Sequence, residues 1–131
     1  MKGKTLTLAS IFCITTSFSF SASASIEDAL ANICTIVKTD DKSELRKKMK
    51  NVRNSFALKL GDYYDGISCN GNSLIRTAML NEALQTGTLL VKKMPKSQLN
   101  KPENDGVKLS DWIAQNGLSD NPIAQVVNER L

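Results

Sequence analysis

The stretch Ser68-Cys69-Asn70-Gly71-Asn72-Ser73-Leu74 constrains this chain more than any other. It closes a polar connection, opens a helix, and carries the thiol that can pair with Cys34 once a leader is removed. The leader reads from the first residues. Lys2 and Lys4 form a positive start, Leu6 through Phe20 carries no charge, and Ala22-Ser23-Ala24 is a small-x-small cleavage site. Residues 1–24 are therefore expected to be a signal peptide, with Ser25 as the first mature residue. A membrane anchor is the competing reading, but Ser and Thr interrupt the run, and it is shorter than the ~20 apolar residues a span needs. Cys13 follows Ile11 and Phe12, where a lipobox would need a small residue before its cysteine.

Export leaves Cys34 and Cys69 as an even pair. In an oxidising compartment such a pair reads as a disulfide. The bridge would close about 35 residues, worth ~3–4 kcal/mol in the chain-entropy description. Two buried free thiols are the alternative. The chain contains no histidine. That removes Ser-His and Cys-His nucleophile pairs, imidazole bases and histidine metal sites. Losing Lys2 and Lys4 takes the formal net charge from +4 to +2, too mild to argue by itself for nucleic acid or membrane binding. The aromatic residues left are Phe56, Tyr63, Tyr64 and Trp112, so the core must come from Leu, Ile, Val, Ala and Met.

Periodicity predicts short helices throughout. Ile26, Ala29, Leu30, Ile33, Cys34 and Val37 fall at spacings of three and four, a single first helix capped by Ser25 with Cys34 on its buried stripe. Asp40-Asp41 then starts a second helix from about Lys42 to Arg53. Leu45, Met49 and Val52 form its narrow stripe, while Arg46, Lys47, Lys48, Lys50 and Arg53 fill the other faces. Glu44 pairs with Lys48 at i, i+4. That basic face is an ordinary solvated surface or a surface for an anionic partner.

Residues 54–68 divide less cleanly. Phe56, Leu58 and Leu60 alternate as a strand would, or Phe56 and Leu60 continue the helix until Gly61-Asp62 breaks it. Asp62 and Asp65 read as loop-solvating carboxylates, since no further ligand is spaced to make a metal site. Asn70, Asn72 or Ser73 caps a third helix with Leu74, Ile75, Ala78 and Met79 inward. A fourth carries Leu84, Leu89, Leu90, Val91 and Met94 and stops at Pro95; Gly87 within it marks close packing. Lys96 to Asp105 reads as a linker or long surface loop. Leu109, Trp112 and Ile113 form a short fifth helix that Gly117 ends in a left-handed cap, and Asn121-Pro122 starts a sixth. Trp112 is a core anchor.

Two resemblances follow. The brief polar joins between helices, with Gly71 and Gly106 each three residues ahead of a Leu, resemble ankyrin helix-turn-helix units, although the Thr-Pro-Leu-His signature is absent. A closer pattern covers Ile33 to Met94: Ile33-Cys34, Lys38-Thr39-Asp40-Asp41-Lys42, Leu45, Met49, then Cys69-Asn70-Gly71 before an alanine-bearing helix. It resembles a family of small exported proteins of Gram-negative bacteria known as a domain of unknown function. The resemblance implies a paired Cys34 and Cys69 and an exported location, and no activity.

The expected architecture is all-α: two or three short antiparallel helix pairs stapled by one disulfide. Residues 25–95 form the disulfide-linked core, and 96–131 a linker and C-terminal helix pair packed on it. The expected function is a non-enzymatic periplasmic or secreted binding module without cofactor or metal. Its partner surface is Arg46, Lys47, Lys48, Lys50 and Arg53, its partner a protein or an anionic envelope component. Nucleic acid is not expected, nor a transmembrane segment after cleavage. The alternative is a redox or other enzyme using Cys34 and Cys69, although they are not a C-x-x-C pair.

Overall fold

The computed structural model describes residue 3 and residues 25–131. The expected signal peptide lies outside the described residues. Helices and short turns account for the regular structure, and among the described residues there is no β-strand beyond two isolated bridges.

The first predicted helix is in fact two. α1 (Ile26–Ala29) is capped by Ser25 Oγ, which accepts from the Asp28 amide at 3.3 Å. Asn32 then takes a left-handed conformation (φ 63°), and α2 (Ile33–Lys38) starts in a new direction. Asparagine is among the few side chains that tolerate this conformation. The break lets α1 lie against α3 (Lys42–Phe56) while α2 packs on both α3 and α5 (Leu74–Leu80).

α3 begins at Asp41, whose Oδ1 accepts from the Glu44 amide at 3.1 Å, and buries Leu45 and Val52. It runs three residues past its expected end and takes in Phe56. Ala57, at φ 55°, stops it, so Leu60 belongs elsewhere. α4 (Leu60–Tyr63) is a single turn started by Asp62 Oδ2 accepting from the Lys59 amide at 2.8 Å, followed by a 3-10 turn at Tyr64–Gly66. Gly61-Asp62 is thus a helix start rather than a break. The glycine is there for space: a Cβ on Gly61 would lie 2.6 Å from Gln98 Oε1 and 3.1 Å from Pro95 Cδ.

Beyond the tight turn Cys69–Asn72, Ser73 caps α5, accepting from the Arg76 amide at 3.4 Å. α5 is buried along its length except for Leu80. α6 (Leu84–Lys93) follows, with no capping side chain of its own. Asp40, from the turn between α2 and α3, supplies one: its Oδ1 accepts from the Thr86 amide at 2.8 Å and from Thr86 Oγ1 at 3.2 Å. Leu84 is 45% exposed at the start of α6.

The predicted linker is structured. α7 (Lys96–Leu99) buries Leu99, and the following residues pin themselves to α5. α8 (Leu109–Gln115) ends at Gly117, whose φ of 65° is the expected left-handed cap. α9 (Pro122–Arg130) is capped by Asn121 Oδ1, accepting from the Ile123 amide at 2.9 Å. α6 lies between α5 and α9, and Leu45, Leu74, Ile75, Met79, Leu90, Met94, Leu109 and Ile123 meet in one core. Gly87 allows this crossing, because a Cβ there would collide with Ile123 Cδ1 and stand 3.1 Å from Ala78 Cβ. Arg130 closes the arrangement from the end of the chain, donating through Nη2 to the Met94 carbonyl at 2.7 Å and through Nη1 to the Lys92 carbonyl at 3.2 Å.

The disulfide joins α2 to the turn before α5. Cys34 and Cys69 are bonded, with their Cα atoms 5.6 Å apart. Cys69 is 4% exposed and Cys34 is only partly buried, so the bond sits at the edge of the core rather than inside it.

Candidate functional site

The basic face of α3 divides between two flanks. Arg46, Lys50 and Arg53 recur at i, i+4 and i+7, with Met49 between them on the same side. They line a concavity of about 450 Å³, completed by Leu58, Lys59, Leu60, Tyr63 and Lys93. Lys47 and Lys48 face the other flank, beside Asp28 and Glu44. There Lys47 Nζ pairs with Glu44 Oε1 at 3.2 Å, and Lys48 Nζ donates to the Ala29 carbonyl at 3.2 Å. The expected pairing of Glu44 with Lys48 is replaced by one with Lys47, because α1 captures Lys48. Of the five predicted residues the structure gathers three and diverts two.

Two further cations were not legible as part of this surface. Lys59 reaches the groove because Ala57 turns the chain sharply after α3, and Lys93 because α6 crosses beside α3 and α4. Among the described residues, then, the rim carries five cationic side chains and no carboxylate lines the cavity. Its floor is apolar: Met49 and Leu58 partly buried, Leu60 and Tyr63 buried. The Tyr63 hydroxyl is enclosed and has no hydrogen-bond partner. Burial first, and the neighbouring Asp62 charge second, push its pKa up to about 12, so it stays a neutral donor at any physiological pH. The lining offers donors, cations and apolar surface, but no thiol, carboxylate or imidazole to act as nucleophile or base.

A second polar cluster lies on the other side of Tyr63's neighbour, Tyr64. Arg76 emerges from the buried length of α5, 5% exposed, and Glu103 meets it. Arg76 Nε lies 2.6 Å from Glu103 Oε1 without aiming its N–H at that oxygen. The Tyr64 hydroxyl donates to Glu103 Oε2 at 2.8 Å, and Ser73 Oγ donates to Oε1 at 2.9 Å. Asp105 takes Nη1 of Arg76 at 2.5 Å and Nη2 at 3.2 Å, and the Val107 carbonyl accepts from Nη2 at 3.0 Å. The guanidinium also stands over the Trp112 ring, 5.1 Å from its centroid. Burial and then the Glu103 charge hold the Tyr64 phenol well above its usual pKa, while hydrogen bonds from Arg76, then from the Val107 amide, hold Asp105 below the usual carboxylate range. Each group here is engaged by another, and the space left between them is about 70 Å³. The cluster is a fastening between α5 and the 101–108 segment. Trp112 keeps its expected anchoring role and gains a cation over its face.

Asp62 and Asp65, set aside as loop residues, stay apart in function: Asp62 caps α4, and the Asp65 carbonyl accepts from Asn104 Nδ2 at 2.6 Å. Among the described residues no three His, Cys, Asp or Glu side chains are grouped to hold a metal ion. No helix among them is long and apolar enough to cross a membrane.

Residues 33–101 match the model of a family described as a protein of unknown function (DUF3718). The match takes in the whole groove and both cysteines. Neither a curated protein nor a solved structure matches the chain.

Proposed function

The chain belongs to the DUF3718 family, whose description carries no activity, and within that family we propose that it is an exported, non-enzymatic binding module that engages an anionic component of the cell envelope through the groove between α3, α4 and α6. One observation carries the reading: five cations, Arg46, Lys50, Arg53, Lys59 and Lys93, rim a concavity with an apolar floor that no carboxylate among the described residues lines. Their fields add in a cleft with low-dielectric walls, which concentrates anions and speeds their capture. The periplasm is the compartment that suits the leader-like residues 1–24 and a structural disulfide.

Co-sedimentation tests the reading. The purified protein should pellet with vesicles rich in phosphatidylglycerol, stay in solution with phosphatidylcholine vesicles, and lose the first association as salt screens the charges. The triple reversal Arg46→Glu, Lys50→Glu, Arg53→Glu should abolish it, whereas Lys47→Glu should leave it nearly unchanged. Equal pelleting of the triple variant and the parent would remove the groove from consideration. Export is tested separately by intact mass: periplasmic material should begin at Ser25.

A further inference from the structure

The groove is more specific than a basic patch needs to be. A surface that only attracts a membrane or an acidic protein can be flat. Here the cations ring a concavity of about 450 Å³, inside the ~300–1,000 Å³ range of small-molecule sites. Resting on the binding reading above, we infer that the groove holds one molecule of a single-chain amphiphilic anion, its carboxylate or phosphate among the rim cations and its alkyl chain along Met49, Leu58 and Leu60.

Three features of the lining lead to this chemistry. The first is the rim. Arg46 and Arg53 sit one step either side of Lys50 on the same face of α3, and a guanidinium fork matches the paired oxygens of a carboxylate or phosphate. The second is the floor. Leu58 is left half-covered by the sharp turn at Ala57, and Met49, unbranched and adaptable, lies beside it. An inorganic anion would leave that floor wet, and a neutral lipid would leave five cations unanswered. The third is Tyr63, which lines the cavity beside Leu60 while its hydroxyl is buried away from solvent, so it adds to the apolar floor. The long lysine stems add apolar lining while their ammonium groups stay in water, which suits a ligand polar at one end only.

Calorimetric titration of the purified protein decides the matter. The probes are octyl, decyl and dodecyl phosphate below their micelle concentrations, laurate, dodecyl maltoside and inorganic phosphate. Dodecyl phosphate and laurate should bind with one-to-one stoichiometry. Affinity should rise by about fourfold for each methylene that finds the floor. Dodecyl maltoside and inorganic phosphate should each bind at least about tenfold more weakly, a difference of one decade in Kd. Leu58→Ser should flatten the chain-length series and keep the charge dependence; Arg53→Gln should do the reverse. Circular dichroism and thermal melts identify any variant that fails to fold, and the parent's ligand series decides without it. Inorganic phosphate binding as tightly as dodecyl phosphate overturns the inference, as does saturation at many ligands per chain. If anionic vesicles capture the protein in a groove-dependent way but no single-chain anion binds, this inference falls and the broader reading stands. If neither binds, both fall.

Discussion

Arg76 and Glu103 form an ion pair inside the protein, 2.6 Å between Nε and Oε1, with 5% and 11% of their side chains exposed. Removing one member of such a pair strands the other away from water, at a cost of roughly 3–5 kcal/mol. Arg76→Met, which leaves Glu103 without its cation, should lower unfolding free energy on that scale in urea titrations, and Glu103→Gln should cost less, because Asp105 and the Val107 carbonyl still engage the guanidinium. The double variant should cost clearly less than the sum of the two, because Glu103 is then not left as an unpaired charge. Strict additivity would mean that the pair contributes nothing as a pair.

The two adjacent tyrosines should respond oppositely to loss of their hydroxyls. Tyr64 donates to Glu103 Oε2 at 2.8 Å, a bond to a charged acceptor worth ~1.5–3 kcal/mol. Tyr63 donates to nothing. Tyr64→Phe should therefore destabilise by that amount, while Tyr63→Phe should be neutral or slightly stabilising in the same melts.

Both phenols also set an alkaline limit. Their folded pKa values lie above the ~10 of an unfolded tyrosine, that of Tyr63 at about 12. Between those values the unfolded chain loses protons that the native state keeps, so stability falls as pH rises. The contribution is complete below about pH 10 and is lost through pH 12. Asp105 sets the opposite trend in acid: its depressed pKa adds stability at neutral pH that fades as pH drops through the folded value. Urea midpoints measured from pH 2 to 12 should show both flanks, and Tyr63→Phe should soften the alkaline one.

Gly87→Ala is a test of crossing rather than of propensity. In an open helix the change would gain about 1 kcal/mol. Here the new methyl meets Ile123 Cδ1, and overpacking costs ~1–3 kcal/mol. The variant should melt lower than the parent. Adding Ile123→Val, which deletes that Cδ1, should restore part of the loss although Ile123→Val alone is destabilising.

Reduction of the Cys34–Cys69 bond, or Cys34→Ser with Cys69→Ser, should cost ~3–4 kcal/mol for a loop of this length. Helical circular dichroism should survive in native buffer while the denaturation midpoint falls.

What the sequence disclosed was the part set by local rules. The helix starts at Ser25, Asp41 and Asn121 are visible, and that of α5 as one of Asn70, Asn72 or Ser73, because each has a short polar side chain able to meet its own backbone a few residues on. The stop at Gly117 and the tight crossing at Gly87 were readable for the same kind of reason. The all-α class and the cysteine pair followed. What stayed hidden was set by partners distant along the chain. Asn32, in a left-handed conformation, divides the first helix into a piece that packs on α3 and a piece that packs on α3 and α5. Gly61 is a glycine because Pro95 and Gln98 crowd it, not because the chain breaks there. Asp40, which looked like a turn residue, caps α6. The polar run from Lys96 resembled a linker because the buried arginine that its two carboxylates serve lies on another helix. At the groove, three cations on α3 could be placed from periodicity, but Lys59 and Lys93 arrive through a turn and a crossing. Lys47 and Lys48 had to be given up because their counterparts, Glu44 and the Ala29 carbonyl, take them to the far flank.

Arg130 clasps the exposed carbonyl end of α6 from a position well beyond the residues that the family match delimits. It is not alone: the methyl that fills the notch at Gly87 and the carboxylates that neutralise Arg76 also come from past residue 101. A polypeptide cut there would keep every residue by which its kinship is recognised and lose the props on which those residues lean. The border of the family match and the border of the packing thus do not coincide in this chain.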